Sequence, residues 1–408
     1  MITKRTPADL GVIRDLAEKA GAVIDRARQA ALDPETHKKL RRFTLREAAQ
    51  TLEVHPRKIY ELLGQNDPGL PTGERTKSKR LFTLEEIHLL QARMKQLPAQ
   101  KYDIRQPVVV TVANFKGGVA KTFTAVTLAQ FFALKGYRTL AIDLDPQASL
   151  TSMFGLNPQR DVDERQTFLP YFYGPEMLKD TEDGWTGTLE TAIQKTYWHG
   201  LDLVASNLQL YGGDFALGIR KDSEPNFVFF KPVAEAIASV RDRYDVVVID
   251  TPPSLSFSAT AAIYAADGLV IPAPAAMVDF ESARSFFTLL CDVIEVFNKR
   301  EAQPKQFDFL KLLVSKYQPS VPVQQRIANW QRTIFDDYCV SEPMLLTTVV
   351  QNIGPAMQTI YEAQDYKGSR QAFKRALESV NAVNEQIEAE VIGTIQARAA
   401  RQGREKAA

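Results

Sequence analysis

Val108-Val109-Val110-Thr111-Val112-Ala113-Asn114-Phe115-Lys116-Gly117-Gly118-Val119-Ala120-Lys121-Thr122 changes period in the middle, and that change decides the fold. Its first half is an almost continuous β-branched run, the signature of a parallel strand buried on both faces. Its second half breaks at two adjacent glycines and runs straight into a helical stretch, Phe123 to Ala133. Paired glycines let the backbone curl into a nest of N–H groups, and the helix that follows adds the partial positive charge of its N-terminus. A strand, a glycine turn and a helix in that order make an anion cradle. Lys121 is placed to meet the outer phosphates of a nucleotide, and the Thr122 hydroxyl to meet Mg2+.

Working outward, similar apolar runs recur at 139–143, 201–205, 244–250, 268–272 and 310–315, separated by helical stretches such as 121–135, 230–241 and 278–298. Alternation of this kind predicts an α/β domain with a doubly wound, mostly parallel sheet, whose ligands bind beyond the carboxyl ends of the strands. Residues 156–200 follow neither period, and we expect an insertion of surface helices and loops there. The polar segment 97–107, bounded by Pro98 and Pro107, is the expected domain boundary. The expected division is an N-terminal helix over 1–36 that could serve dimerisation, a helical unit with linker over 37–106, and the α/β domain over 107–408.

The 408 residues carry 50 Lys and Arg against 49 Asp and Glu, a near-neutral total that conceals a gradient. Residues 1–106 hold 21 basic and 14 acidic side chains, so the front is the basic part. Within it, Phe43-Thr44-Leu45-Arg46-Glu47 and Phe82-Thr83-Leu84-Glu85-Glu86 each place Thr three residues before Glu, the pattern of a capping box at a helix start. The first helix, about Leu45 to Leu52, is followed by a short turn and by Pro56, suited to the first position of a second helix reaching Leu63. Two short helices about a tight turn form the helix-turn-helix pattern, although Glu53 stands where a glycine is usual. The second helix carries Arg57, Lys58 and Tyr60, and residues 64–82 supply a turn-rich hairpin with Arg75, Lys77, Lys79 and Arg80. The stretch 40–95 resembles the winged helix-turn-helix of the MerR type, which implies DNA contact through those seven residues.

Three motifs at predicted strand ends then make a more specific resemblance. They are Lys116-Gly117-Gly118-Val119-Ala120-Lys121-Thr122, a deviant Walker A string, then Asp143-Leu144-Asp145-Pro146-Gln147, then Asp250-Thr251-Pro252-Pro253. Together they resemble the ParA/MinD ATPases, and with the front unit the chain is similar to the larger partition ATPases, including the RepA proteins of repABC replicons. The resemblance implies a P-loop ATPase that uses ATP and ADP with Mg2+. It implies nucleotide contacts along Lys116 to Phe123, and catalysis by Lys116 acting across a homodimer, by Lys121, and by Asp145 on the attacking water. It places Thr122, Asp143 and Asp250 at the metal. Nonspecific DNA is implied at Lys367, Arg370, Lys374 and Arg375, operator DNA at the front unit, with autorepression, a ParB-type centromere-binding partner, and higher-order assembly on DNA left open. Ala120 and Phe123 depart from the family pattern, which carries Gly and a small hydroxyl residue there.

Other classes fit less well. Two cysteines, Cys291 and Cys339, far apart, give no zinc or cluster spacing and fit a reduced cytoplasmic chain, which the resemblance implies is nucleoid-associated. No apolar run reaches the ~18–20 residues of a membrane span. A MinD-like division-site ATPase would want a bulky amphipathic C-terminal helix, and a repressor with a vestigial nucleotide site is the remaining alternative. We expect Cys291 in the core, and Phe168, Tyr171, Phe172 and Tyr173 in a small core of their own.

Overall fold

The computed structural model describes residues 11, 12, 14, 15, 18–21, 38–65, 67–77, 79–177, 188–353, 357–363 and 368–405. Residues 11, 12, 14, 15 and 18–21 are helical, and the rest of the expected N-terminal helix lies outside the described residues. The chain then forms a small three-stranded sheet from β1 (Phe43–Thr44), β2 (Glu74–Arg75) and β3 (Arg80–Phe82), ordered β1-β3-β2 and antiparallel. Helices Leu45–Thr51 and Pro56–Leu63 lie between β1 and β2, and helix Leu84–Arg93 follows β3. Both capping boxes form, Thr44 with Glu47 and Thr83 with Glu86. Glu53 occupies the turn with φ +53, which costs a side chain about 1 kcal/mol relative to glycine. Its carboxylate is held by Lys135 at 2.6 Å, so the position that usually takes glycine here anchors the unit to its neighbour.

The main sheet has seven strands: β4 (Val108–Val112), β5 (Thr139–Asp143), β6 (Gln194–Lys195), β7 (Leu201–Val204), β8 (Val246–Asp250), β9 (Gly268–Pro274) and β10 (Phe309–Ser315). Their order is β10-β9-β4-β8-β5-β7-β6, and every pairing is parallel except the edge pair β6–β7. The protein is thus an α/β P-loop fold with a mostly parallel, doubly wound sheet. Alternate residues serve opposite faces, as strand geometry requires. Val108, Val110, Val112, Val246 and Val248 pack with helices Lys121–Leu134 and Arg370–Glu405, whereas Val109, Val247 and Ile249 face Tyr211–Ser223 and Phe257–Ala265.

The front unit does not keep a core of its own. Phe43, Leu52, Ile59, Phe82 and Leu90 belong to the same continuous apolar cluster as Val110, Phe132 and Ile387. Polar contacts reinforce the seam. The Gln91 amide donates to the Lys135 carbonyl at 2.8 Å. Lys38 and Glu362 form a buried ion pair at 2.8 Å, and Lys38 also donates to the carbonyls of Met153 and Met357, each at 2.6 Å.

Two expectations need correcting. The described residues of 156–200 are not merely superficial: Phe168, Tyr171, Phe172 and Leu189, with Tyr173 against them, pack into the core that carries Leu140 and Ile142 of the sheet rather than into a small core of their own. Cys291 is exposed, since helix Met277–Arg300 turns Leu290 and Val293 inward and leaves position 291 facing water. Among the described residues no helix is long and apolar enough to cross a membrane.

Candidate functional site

The phosphate loop is built by bonds that hold an unusual backbone path. Asn114 leaves β4, donates its amide to the Pro272 carbonyl at 2.8 Å and accepts the Lys116 N–H at 3.0 Å, which turns the chain away from the sheet. Gly118 has φ +74, with no heavy atom within 4 Å of where a Cβ would stand, so the loop's inner side is open at that point. The Ser315 hydroxyl at the end of β10 ties the Val119 carbonyl at 2.8 Å. Ala120 takes φ +76, ψ +28, the left-handed conformation, in the place where the related pattern has glycine. The loop keeps its shape at a strain of about 1–2 kcal/mol. Its carbonyl accepts both the N–H and the hydroxyl of Thr124, at 3.0 and 2.8 Å, which holds that strain in place.

Lys121 starts the following helix almost fully buried, with Nζ on the Lys116 carbonyl at 2.8 Å. Burial pulls its pKa below the ordinary value, and the fields of Asp250 and Asp145 pull it back. Asp250 arrives by strand register, and Asp143 with it. Val112, Asp250 and Asp143 stand level on the adjacent strands β4, β8 and β5, so one row of the sheet ends in two buried acids side by side. Burial first, then its neighbour Asp143, pushes the Asp250 carboxyl well above the usual range. Burial also raises Asp143 and Asp145.

The three acids differ in what their oxygens do. Each Asp143 oxygen already accepts from the chain: one from the Asp145 N–H at 3.1 Å, the other from the N–H and hydroxyl of Thr151 at 2.9 and 2.7 Å. Asp145 accepts the Gln147 N–H at 2.9 Å and lies just beyond β5. Asp250 is fully buried, yet among the described residues no donor completes a hydrogen bond to either oxygen, and the Thr122 hydroxyl lies alongside as a stabilising neighbour. An unsatisfied buried carboxylate costs several kcal/mol unless a cation or a proton answers it. Among the described residues no three His, Cys, Asp or Glu side chains form a cage for a metal ion. The Asp250 carboxylate beside the Thr122 hydroxyl suits Mg2+, which is commonly held by one or two protein oxygens together with a substrate's phosphates. The residues present therefore fit the ion at Asp250 and Thr122, with Asp143 bracing the loop beside them.

Lys116 does not point into its own loop. Its ammonium is paired with Asp279, in the first turn of helix Met277–Arg300. Thr251 turns back and donates to the Val112 carbonyl at 2.9 Å, which sets the start of Thr251-Pro252-Pro253 against β4. Phe123 is half-buried beside the helix start. Asp279 and Thr151 had no sequence signal: Asp279 lies 163 positions from Lys116, and Thr151, eight positions from Asp143, belongs to no recognisable motif.

The basic residues gather elsewhere. Arg57, Lys58 and Tyr60 are exposed on Pro56–Leu63, although Arg57 is shared with Glu61 at 2.9 Å. Arg75, Lys77 and Lys79 are exposed on the β2–β3 hairpin, while Arg80 is half-buried opposite Arg75. Arg370, Lys374 and Arg375 are exposed at the start of the last helix, and Lys367 lies outside the described residues. A cleft of about 680 Å3 is lined by Arg42 and Lys79 of the front unit and by Phe373 and Leu377 of the last helix.

Three comparisons bear on this arrangement. A family model described as an AAA domain matches residues 108–301. A replication protein A from Rhizobium rhizogenes is 31% identical over 400 residues, covering 95% of this chain and 96% of that one. The chromosome-partitioning ATPase Soj of Thermus thermophilus is 29% identical over 278 residues, covering 67% and 95%. Among solved structures, one described as a partition protein superposes with a TM-score of 0.64 at 18% identity, over 94% of this chain and 99% of the other, which bears on the fold alone.

Proposed function

The chain belongs to the ParA/MinD-type family of P-loop partition ATPases, and from that premise we propose that it segregates DNA by ATP- and Mg2+-dependent homodimerisation. The observation that carries this reading is the unanswered carboxylate of Asp250 beside Thr122 and Lys121, at the mouth of an open phosphate loop. When bound, Mg2+ neutralises charge on the phosphate oxygens. The loop N–H groups of Gly117 to Phe123 bind the phosphates, and Lys121 adds a buried positive charge to them. Asp145, fixed by its backbone bonds, accepts a hydrogen bond from the attacking water and orients it. Lys116 leaves Asp279 to reach the phosphates of a second copy, and Thr251-Pro252-Pro253 carries the change of phosphate state away from β8.

On the same reading the ATP dimer binds nonspecific DNA through Lys367, Arg370, Lys374 and Arg375, a ParB-type partner stimulates hydrolysis, and the front unit represses its own operon. The test is ATP turnover and DNA shift on the wild type against Asp145→Ala. The variant should bind ATP and stay on DNA while hydrolysing roughly 10²-fold more slowly. Release from DNA at the wild-type rate would rule the reading out. Operator contact calls for substitution rather than truncation, because removing residues 1–106 would strip Phe82 and Leu90 from the shared core. Arg57→Ala with Lys58→Ala should weaken operator binding and lower its salt slope by about 2, at unchanged ATP turnover. An unaltered operator affinity would place the reader elsewhere.

The buried Ile387, Val391 and Ile395 favour partition over a membrane-bound relative, since the last helix spends that apolar face on the protein's own core.

A further inference from the structure

We propose that Thr151 and Ser206 are positioning residues for hydrolysis, acting through a closed, buried ring of hydrogen bonds that sets the Asp145 carboxylate. The inference rests on the ATPase reading above and adds residues that no motif contains.

The ring can be followed bond by bond. Asp143, the last residue of β5, accepts the Thr151 hydroxyl at 2.7 Å and the Thr151 N–H at 2.9 Å. That hydroxyl oxygen in turn accepts the Ser206 N–H at 2.9 Å. The Ser206 hydroxyl donates to the Asp145 carbonyl at 2.7 Å, and the Asp145 N–H returns to Asp143 at 3.1 Å. Four residues from three elements are thereby joined: the end of β5, the helix Ser149–Met153, and the segment just past β7. Asp143, Thr151 and Ser206 are fully buried.

The location gives the ring its consequence. The chain leaves the sheet after Asp143, so past the Leu144 N–H bond to the Asp250 carbonyl, at 3.0 Å, no strand ladder holds Asp145. Its backbone is gripped from both ends by the ring, at N–H and at C=O, with the Ala148 N–H a second donor to that carbonyl at 2.8 Å and the Gln147 N–H on its carboxylate at 2.9 Å. Water orientation tolerates little error, because a displacement of about 1 Å can cost ~10²-fold in rate. Buried hydroxyls with both donor and acceptor satisfied also strengthen one another in a low-dielectric interior. Thr151 is suited to the task because one hydroxyl both donates and accepts, which a valine of the same shape cannot do.

The test uses the full-length protein with ATP, Mg2+ and nonspecific duplex DNA, reading kcat, KM and ATP affinity by equilibrium binding. Thr151→Val should lower kcat by roughly 10- to 50-fold, with ATP affinity and KM within about 2-fold of wild type. Thr151→Ser, which restores the hydroxyl, should recover kcat to within about 3-fold. Ser206→Ala removes one bond of the same ring and should cost about 5-fold or more in kcat. It keeps the proposal testable if the valine variant fails to fold. Combining Thr151→Val with Ser206→Ala should cost little beyond Thr151→Val alone, since members of one ring are not additive. Wild-type kcat in Ser206→Ala and in a folded Thr151→Val, or a serine variant as slow as the valine, overturns the proposal. So does loss of ATP affinity in step with kcat, which marks a general structural role. Absence of turnover in the wild type overturns the hydrolase reading itself, and is distinguishable because no variant is then needed to see it.

Discussion

Lys116→Ala is expected to lower ATP turnover by roughly 10³- to 10⁵-fold while leaving ATP affinity of the single chain within a few-fold, the effect associated with a charge supplied across an interface. The basis is a division of labour between two lysines five residues apart. Lys121 is buried with Nζ folded against its own loop, whereas Lys116 is one-third exposed and directed at Asp279. A side chain held outside its own nucleotide cradle contributes little to ground-state binding there. Removing it should therefore act on the transition state, and the measurement is kcat against ATP affinity by equilibrium binding. Parallel loss of both would mean that Lys116 serves the nucleotide of its own chain.

Lys121→Ala should do the opposite and abolish binding first, with ATP affinity reduced by roughly 10²- to 10³-fold and kcat/KM by more. Asp143, Asp145 and Asp250 all converge beside this lysine, and Lys121 is the cation that offsets the field at both Asp145 and Asp250. Without it the pocket presents three acids to a nucleotide that carries several negative charges itself. Mg2+ would then have to answer both. Equilibrium ATP binding with the variant, with and without Mg2+, reads the effect directly, and near-normal affinity would refute the assignment. Folding should survive, because among the described residues the Lys121 side chain makes a single hydrogen bond, to the Lys116 carbonyl. A thermal melt checks that point.

Much of the α/β domain was legible in the sequence because its signals are local. Five β-branched or apolar runs after Val108–Val112 marked strands, since a parallel strand buried on two faces needs no partner to reveal its composition. The phosphate loop was equally readable, because paired glycines before a lysine and a threonine leave few other backbone paths. The capping boxes at Thr44 and Thr83 behaved likewise, each closing within three residues. Position 120 was legible only as a departure; that an alanine holds the left-handed turn there became visible with the Thr124 bonds that brace it.

What the sequence by itself determined is therefore the set of elements, the phosphate loop and the acids at the strand ends, all encoded over a few neighbouring residues. The tertiary structure alone decided how they meet. Register sets Asp143 level with Asp250, though they are over 100 positions apart, and leaves both Asp250 oxygens without a completed hydrogen bond among the described residues. Packing turns Cys291 outward, draws Phe168, Phe172 and Leu189 into the core and merges the front unit with the sheet. Long-range pairs such as Lys116 with Asp279, or Thr151 with Ser206, leave no periodic trace, because any polar residue reads alike in sequence until the fold brings its partner within 3 Å.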